Sequence, residues 1–138
     1  KQSSGKEANS KTEKKQKTYS IKELESRIQS ISFSLNEKDR KIKEAKKLIN
    51  KFQARIESLN QSISKAEKEQ KANVRYDGVE HSVTELKEYL KKTKNNLKIV
   101  KKARDDLKSD YNKLKMQKER LKERKRIKEY IEYDTSIL

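Results

Sequence analysis

Cysteine, proline and tryptophan are missing from this sequence, and glycine occurs only as Gly5 and Gly78. Without cysteine the chain forms no disulfide and offers no thiolate to a metal. Without proline, and with so little glycine, almost nothing in it interrupts a helix. No apolar run approaches the roughly 18 residues that suggest a membrane-spanning helix, and none has the form of a signal-peptide core. The single histidine, His81, has no second imidazole to share a metal with. There is no glycine-rich phosphate loop, no Ser–His–acid set and no inward-facing pair of carboxylates. A two-helix arrangement also has no enclosed cavity from which water could be kept out. These absences predict a non-enzymatic protein with no catalytic residues, no metal, no cofactor and no small-molecule substrate.

Only 30% of the residues are hydrophobic and 43% are charged. That is too few apolar residues for a layered globular domain, yet those present keep strict register. From Ile21 the a positions of a heptad read Ile21, Ile28, Leu35, Ile42, Ile49, Ile56 and Ile63. The d positions read Leu24, Ile31, Lys38, Ala45, Phe52, Leu59 and Ala66, with Lys38 the one polar member. Apolar residues every 3.5 positions make one slowly drifting stripe on a helix of 3.6 residues per turn. Burying such a stripe against another helix gives a coiled coil.

Taken in order, residues 1–18 are mostly Ser, Asn, Gln, Lys and Glu, with hardly an apolar side chain. They cannot offset the entropy of ordering, so a disordered basic leader, or tether, is expected there. Ser20-Ile-Lys-Glu23 has the form of a capping box, with Tyr19 and Leu24 as its hydrophobic staple. Helix one is expected over 20–74. Asp77-Gly78 supplies a pair suited to positive φ, so the chain should reverse in a turn over 75–81. A second capping box, Ser82-Val-Thr-Glu85, starts helix two, expected over 82–133. Its a series is Val83, Leu90, Leu97, Arg104, Tyr111, Lys118 and Lys125; its d series is Leu86, Thr93, Val100, Leu107, Leu114 and Leu121. Two capped arms of nearly equal length around one turn predict an all-α fold, an antiparallel two-helix coiled-coil hairpin.

Facing a against d′ across the turn sets Ile63 by Thr93, Ile56 by Val100, Ile49 by Leu107 and Leu59 by Leu97. It also lays the Arg104 guanidinium over Phe52, and pairs Glu67 with Lys87 and Asp39 with Lys115. Towards the open end the stripe degrades, because Lys118 and Lys125 take core positions while Ile127 and Ile131 fall outside them. A shift of phase there would bring Ile127 and Ile131 onto Ile28 and Leu24.

The net charge is +16, of which residues 83–138 contribute +8. Such a field attracts polyanions and acidic protein surfaces. Lys87, Lys94, Lys101, Lys108, Lys115 and Lys122 occupy six successive e positions of helix two. They either guard the seam by snorkelling or form a track for a polyanion such as nucleic acid or glycosaminoglycan. A basic stretch, Arg120, Lys122, Arg124, Lys125, Arg126 and Lys128, lies near the open end, interrupted by Glu119, Glu123 and Glu129. Phe33, Ile99 and Met116 lie singly off the seam. Ile127, Tyr130, Ile131 and Tyr133 form a denser apolar group, which either closes the hairpin or docks on a partner protein. Self-association of the chain is a further expectation, not tied to any one group of residues.

The leader, Gln2-Ser-Ser-Gly-Lys-Glu-Ala-Asn-Ser10, resembles the tethers of spirochaete outer-surface lipoproteins just after their lipidated cysteine. A chain beginning at Lys1 fits a mature form of that kind written without its cysteine. The resemblance implies a lysine-rich helical body held at the bacterial cell surface by a lipid, where many such proteins bind host factors. Composition and register thus predict an interaction or scaffold protein; the alternative is a basic helical arm that holds a polyanion non-specifically.

Overall fold

A computed structural model describes residues 19–137. The expected leader, 1–18, lies outside the described residues, as does Leu138. Two long helices packed against each other make up most of the chain, together with one short strand pair. The elements run α1 (Ile21–Lys68), β1 (Asn73–Tyr76), β2 (Val79–Ser82) and α2 (Val83–Ile137). The chain divides into two compact units. One is Lys38–Asp110; the other consists of the described parts of Lys1–Glu37 and Tyr111–Leu138.

The unit Lys38–Asp110 is a helical hairpin whose reversal corrects the expected boundaries. Helix α1 ends at Lys68, six residues before the expected stop at position 74. Gln70 takes a left-handed φ of 55°. Its amide donates to the Glu67 carbonyl at 3.2 Å, and the Lys71 amide reaches the Ala66 carbonyl at 2.8 Å. These two bonds form a Schellman motif, which closes the helix by satisfying carbonyls that no further turn would use. The expected turn over 75–81 is a β-hairpin in which Asn73 pairs with Ser82 and Tyr76 with Val79. Asp77 and Gly78 form its two-residue loop with φ of 52° and 77°. Positive φ at both positions defines a type I′ turn, whose twist matches that of the strands it joins. Val74 and Tyr76 turn inward while Asn73 and Arg75 face water, the alternation of a half-buried strand.

Helix α2 begins as expected. The Ser82 amide donates to Glu85 Oε1 at 2.9 Å, and the Glu85 amide donates to Ser82 Oγ at 3.0 Å. Beneath it Leu59, Ile63 and Leu86 form a buried cluster, with Val74, Tyr76, Val83 and Leu90 packed around it. Fully burying a leucine contributes about 1.5–3 kcal/mol, so this cluster anchors the hairpin. Thr93 is also buried, and its hydroxyl donates to the Tyr89 carbonyl at 2.8 Å. The expected Glu67–Lys87 pair is present at 2.7 Å. Asp39 takes Lys43 of its own helix at 3.1 Å. The expected stacking of Arg104 on Phe52 does not form. Arg104 pairs with Asp105 at 3.1 Å, while the Arg55 guanidinium lies 5.7 Å from the Phe52 ring and 5.6 Å from that of Tyr89. An adjacent carboxylate offers a charge-assisted bond that a ring cannot match.

In the second unit, α1 starts from the other capping box. The Ser20 amide donates to Glu23 Oε1 at 2.8 Å and the Glu23 amide to Ser20 Oγ at 3.1 Å. Leu24 and Leu35 are buried. The expected change of phase near Ile127 is absent: Ile127 and Ile131 are exposed, and the heptad runs on through half-buried Leu121, Lys125 and Lys128. Lys125 pairs with Glu25 at 3.2 Å, and Lys128 donates to the Tyr19 carbonyl at 2.6 Å. Lysine stems thus cover the stripe while their ammonium groups find oxygen at its edge. Helix α2 continues to Ile137, four residues past the expected end at 133. The Thr135 hydroxyl donates to the Ile131 carbonyl and the Ser136 hydroxyl to that of Tyr133, which occupies acceptors in the last turns.

Candidate functional surfaces

The lysines at the e positions of α2 do not behave alike. Lys87 is engaged by Glu67. Lys101 is half-buried. Lys94 and Lys108 are exposed in the hairpin unit, and Lys115 and Lys122 are exposed in the other. Lys94 also shares one outer face with Lys91 and Lys98, since positions separated by three, four and seven residues lie on one side of a helix. That shared face is a basic stripe that periodicity in e alone does not reveal.

The apolar group near the end of α2 stays uncovered. Ile127, Tyr130, Ile131 and Tyr133 are 52–69% exposed, and Ile137 is 62% exposed. Residues 129–137 are all exposed. Ile127, Tyr130, Ile131 and Ile137 fall within one side of the helix, turned away from the side on which Leu121, Lys125 and Lys128 are half-buried. The acidic residues Glu129, Glu132 and Asp134 lie in the same stretch against one base, Lys128, in a chain otherwise rich in positive charge.

The basic stretch 120–128 is dispersed rather than gathered into one patch. Lys125 and Lys128 serve the seam, and Arg126 pairs with Glu123 at 2.9 Å. Arg120 and Arg124 instead line an open cleft of about 340 Å³ with Arg27, Tyr19, Ser30, Ile31, Gln117 and Leu121. The Arg27 guanidinium stacks 4.2 Å from the Tyr19 ring centroid. Sequence reading missed this cleft because Arg27 is far from Arg120 and Arg124 in the chain. One signal was present: Arg27 and Arg124 both hold g positions, which share a flank when helices run antiparallel.

Two side chains at this end have shifted titration. The Glu23 carboxyl is held below its ordinary value, chiefly by the hydrogen bond from the Ser20 amide and then by the Ser20 hydroxyl. Lys125 is raised, chiefly by its hydrogen bond to Glu25. Near the chain reversal, His81 Nδ1 lies 3.8 Å from Glu85 Oε1, one turn on. Among the described residues no helix is long and apolar enough to cross a membrane. No protein-family model matches the chain, and no curated protein or solved structure matches it either.

Proposed function

We propose that this chain is a non-enzymatic interaction protein, an antiparallel coiled-coil hairpin that docks a partner protein on the last turns of α2. Support for a coiled coil comes from the heptad: each a and d residue of both series is buried or half-buried. The docking reading is carried by the exposure of Tyr130, Ile131, Tyr133 and Ile137 on an uncovered length of helix. These last turns lack the tertiary packing from which most helix stability comes, and they gain it when their apolar side is covered. Glu129, Glu132 and Asp134 select the occupant: a helix of a partner protein that brings apolar residues flanked by Lys or Arg. The leader's likeness to lipoprotein tethers supports presentation of this surface at a bacterial cell surface.

The test replaces Tyr133 by a photo-crosslinking phenylalanine analogue in the intact chain and maps the crosslinked peptide by mass spectrometry. A helical, basic and apolar segment of another protein is expected, and its capture should fall at least tenfold with Ile131→Ser. Crosslinks only to a second copy of this chain, or capture indifferent to Ile131→Ser, would overturn the reading. Polyanion binding is the second reading, favoured by exposed Lys91, Lys94 and Lys98 on one face. Changing Lys94, Lys101, Lys108 and Lys115 to Gln should then lower heparin retention more than changing Lys43, Lys47, Lys51 and Lys65, with melting unchanged.

A further inference from the structure

The cavity beside the chain reversal, within the hairpin unit, has a chemistry that neither reading uses. We infer that it binds a quaternary ammonium group, taken against the Tyr76 ring with the Asp77 carboxylate beside it. Tyr76, Asp77 and Val79 line it from the strand pair, and Glu85, Leu86 and Tyr89 line it from α2. Its volume of about 330 Å³ is at the small end of ligand cavities and suits a compact cation. The Tyr76 and Tyr89 rings meet at 6.5 Å and 75°, so their planes form a corner. The face of an aromatic ring is negative and attracts a cation.

The local charge is of the right sign. Residues 76–90 hold Asp77, Glu80, Glu85 and Glu88 against one base, Lys87, in a chain of net charge +16. Lys87 pairs with Glu67. Arg75 turns to the opposite face of β1 from Tyr76, and Lys91, two residues past Tyr89, lies on the opposite side of α2. Arg55 sits 5.6 Å from the Tyr89 ring but does not line the cavity, which leaves Tyr76 as the main aromatic wall. Glu85 is shared: its Oε1 accepts from the Ser82 amide, and His81 Nδ1 lies 3.8 Å away. Asp77 makes no ion pair and no side-chain hydrogen bond among the described residues. A primary ammonium would need three acceptors, whereas a quaternary one donates no hydrogen bond and needs rings, apolar surface and a nearby anion. Val79 and Leu86 supply the apolar surface. The type I′ turn holds Asp77 and the helix cap holds Glu85, so both carboxylates are in place before a ligand arrives.

The experiment uses the full chain labelled with ¹⁵N, titrated at constant ionic strength with choline and with the uncharged alcohol in which carbon replaces its nitrogen. Saturable shifts of the Gly78 and Tyr89 amide signals are expected with choline, and binding of the alcohol should be several-fold weaker. Phosphatidylcholine vesicles form a second arm: capture by them identifies a lipid headgroup as the source of the cation, and binding of choline alone identifies a free amine. Asp77→Asn keeps a residue suited to the type I′ turn and removes the charge. It should weaken choline binding about fivefold, the worth of one nearby charge in water. Tyr76→Leu, which loses the ring, should weaken it at least about threefold, and Tyr76→Phe should restore it. Glu132→Gln, which removes a carboxylate from the other unit, should leave it unchanged. Equal binding of the alcohol, full binding by Asp77→Asn, equal weakening by Glu132→Gln, or shifts that never saturate would overturn the inference. Thermal melting of each variant separates lost binding from lost folding.

Discussion

Leu86→Ala is the sharpest probe of how the hairpin unit is held together. Leu86 is 1% exposed and lies in one cluster with Leu59 and Ile63, against which the strand residues Val74 and Tyr76 also pack. Truncation removes buried methyl groups and leaves a cavity whose walls come from both helices and a strand. Collapse into that space would break the type I′ hairpin, so little relaxation is available. The cost should be about 3 kcal/mol, within the range for leucine-to-alanine changes in well-packed cores. For a unit of this size that lowers the melting temperature by roughly 10–20 °C. Ile56→Ala makes the comparison. Ile56 is only half-buried, part of its surface already meets water, and its loss should cost about 1–2 kcal/mol. Urea unfolding followed by circular dichroism measures both. The Tyr76 and Tyr89 rings, edge to face at 6.5 Å, report on the strand pair in the near ultraviolet. If Leu86→Ala costs no more than Ile56→Ala, the cluster does not anchor the reversal and the reasoning fails.

Gln70→Gly should raise stability by about 0.5–1 kcal/mol, because a side chain in the left-handed region is replaced by the residue suited to it; unchanged or lower melting would count against the Schellman stop. Gly78→Ala should lower stability by about 1–2 kcal/mol, since nothing lies within 4 Å of the added carbon and only its φ of 77° resists. The raised Lys125 should add a pH dependence at the alkaline end. Its contribution is complete below its ordinary value of 10.5 and is lost as pH rises from there through the higher folded value. Lys125→Gln should remove that part of the slope in melts taken from pH 9 upward.

The helices were legible because two independent signals agreed on each start. Ser20 with Glu23, and Ser82 with Glu85, satisfy helix amides at the positions where the heptads begin. The buried stripe was legible for a related reason: a period of 3.5 sustained over both arms has few competing explanations. The strands were not read, although Val74-Arg-Tyr76 alternates correctly and Asp77-Gly78 is a strong hairpin signal. Their brevity let the helical pattern of α1 be carried into β1 as far as Val74 and the rest be read as a plain turn, and no glycine marked the stop at Gln70. Towards the end of α2 the difficulty was different. Ile127 and Ile131 look like core residues, and Lys125 and Lys128 do not. The heptad alone put Lys125 at a core position; what it did not show is that Glu25 and the Tyr19 carbonyl wait at the edge of the seam for Lys125 and Lys128. The arginine cleft was least legible of all, since it joins residues about ninety positions apart.

That inversion at the end of α2 argues for function. A sequence selected only to hold two helices together would place isoleucine in the seam and lysine outside it. Here Lys125 is half-buried in the seam, and Ile127, two residues on, is 52% exposed. Exchanging their characters, with Lys125→Leu and Ile127→Lys together, keeps the net charge and the helix propensity nearly constant. Leucine at 125 would add apolar surface to the half-buried seam. The pairs of Lys125 with Glu25 and Glu129 would be lost, but the glutamates are half exposed, and such pairs are worth about 0–1 kcal/mol. The exchange should therefore raise stability by about 1 kcal/mol. It should also remove one apolar residue from the outward side and weaken partner capture through Tyr133. More stability with less binding would mean that this end of α2 trades packing for a docking surface. Less stability would mean that Lys125 is needed where it stands, and that the exposed isoleucine is incidental.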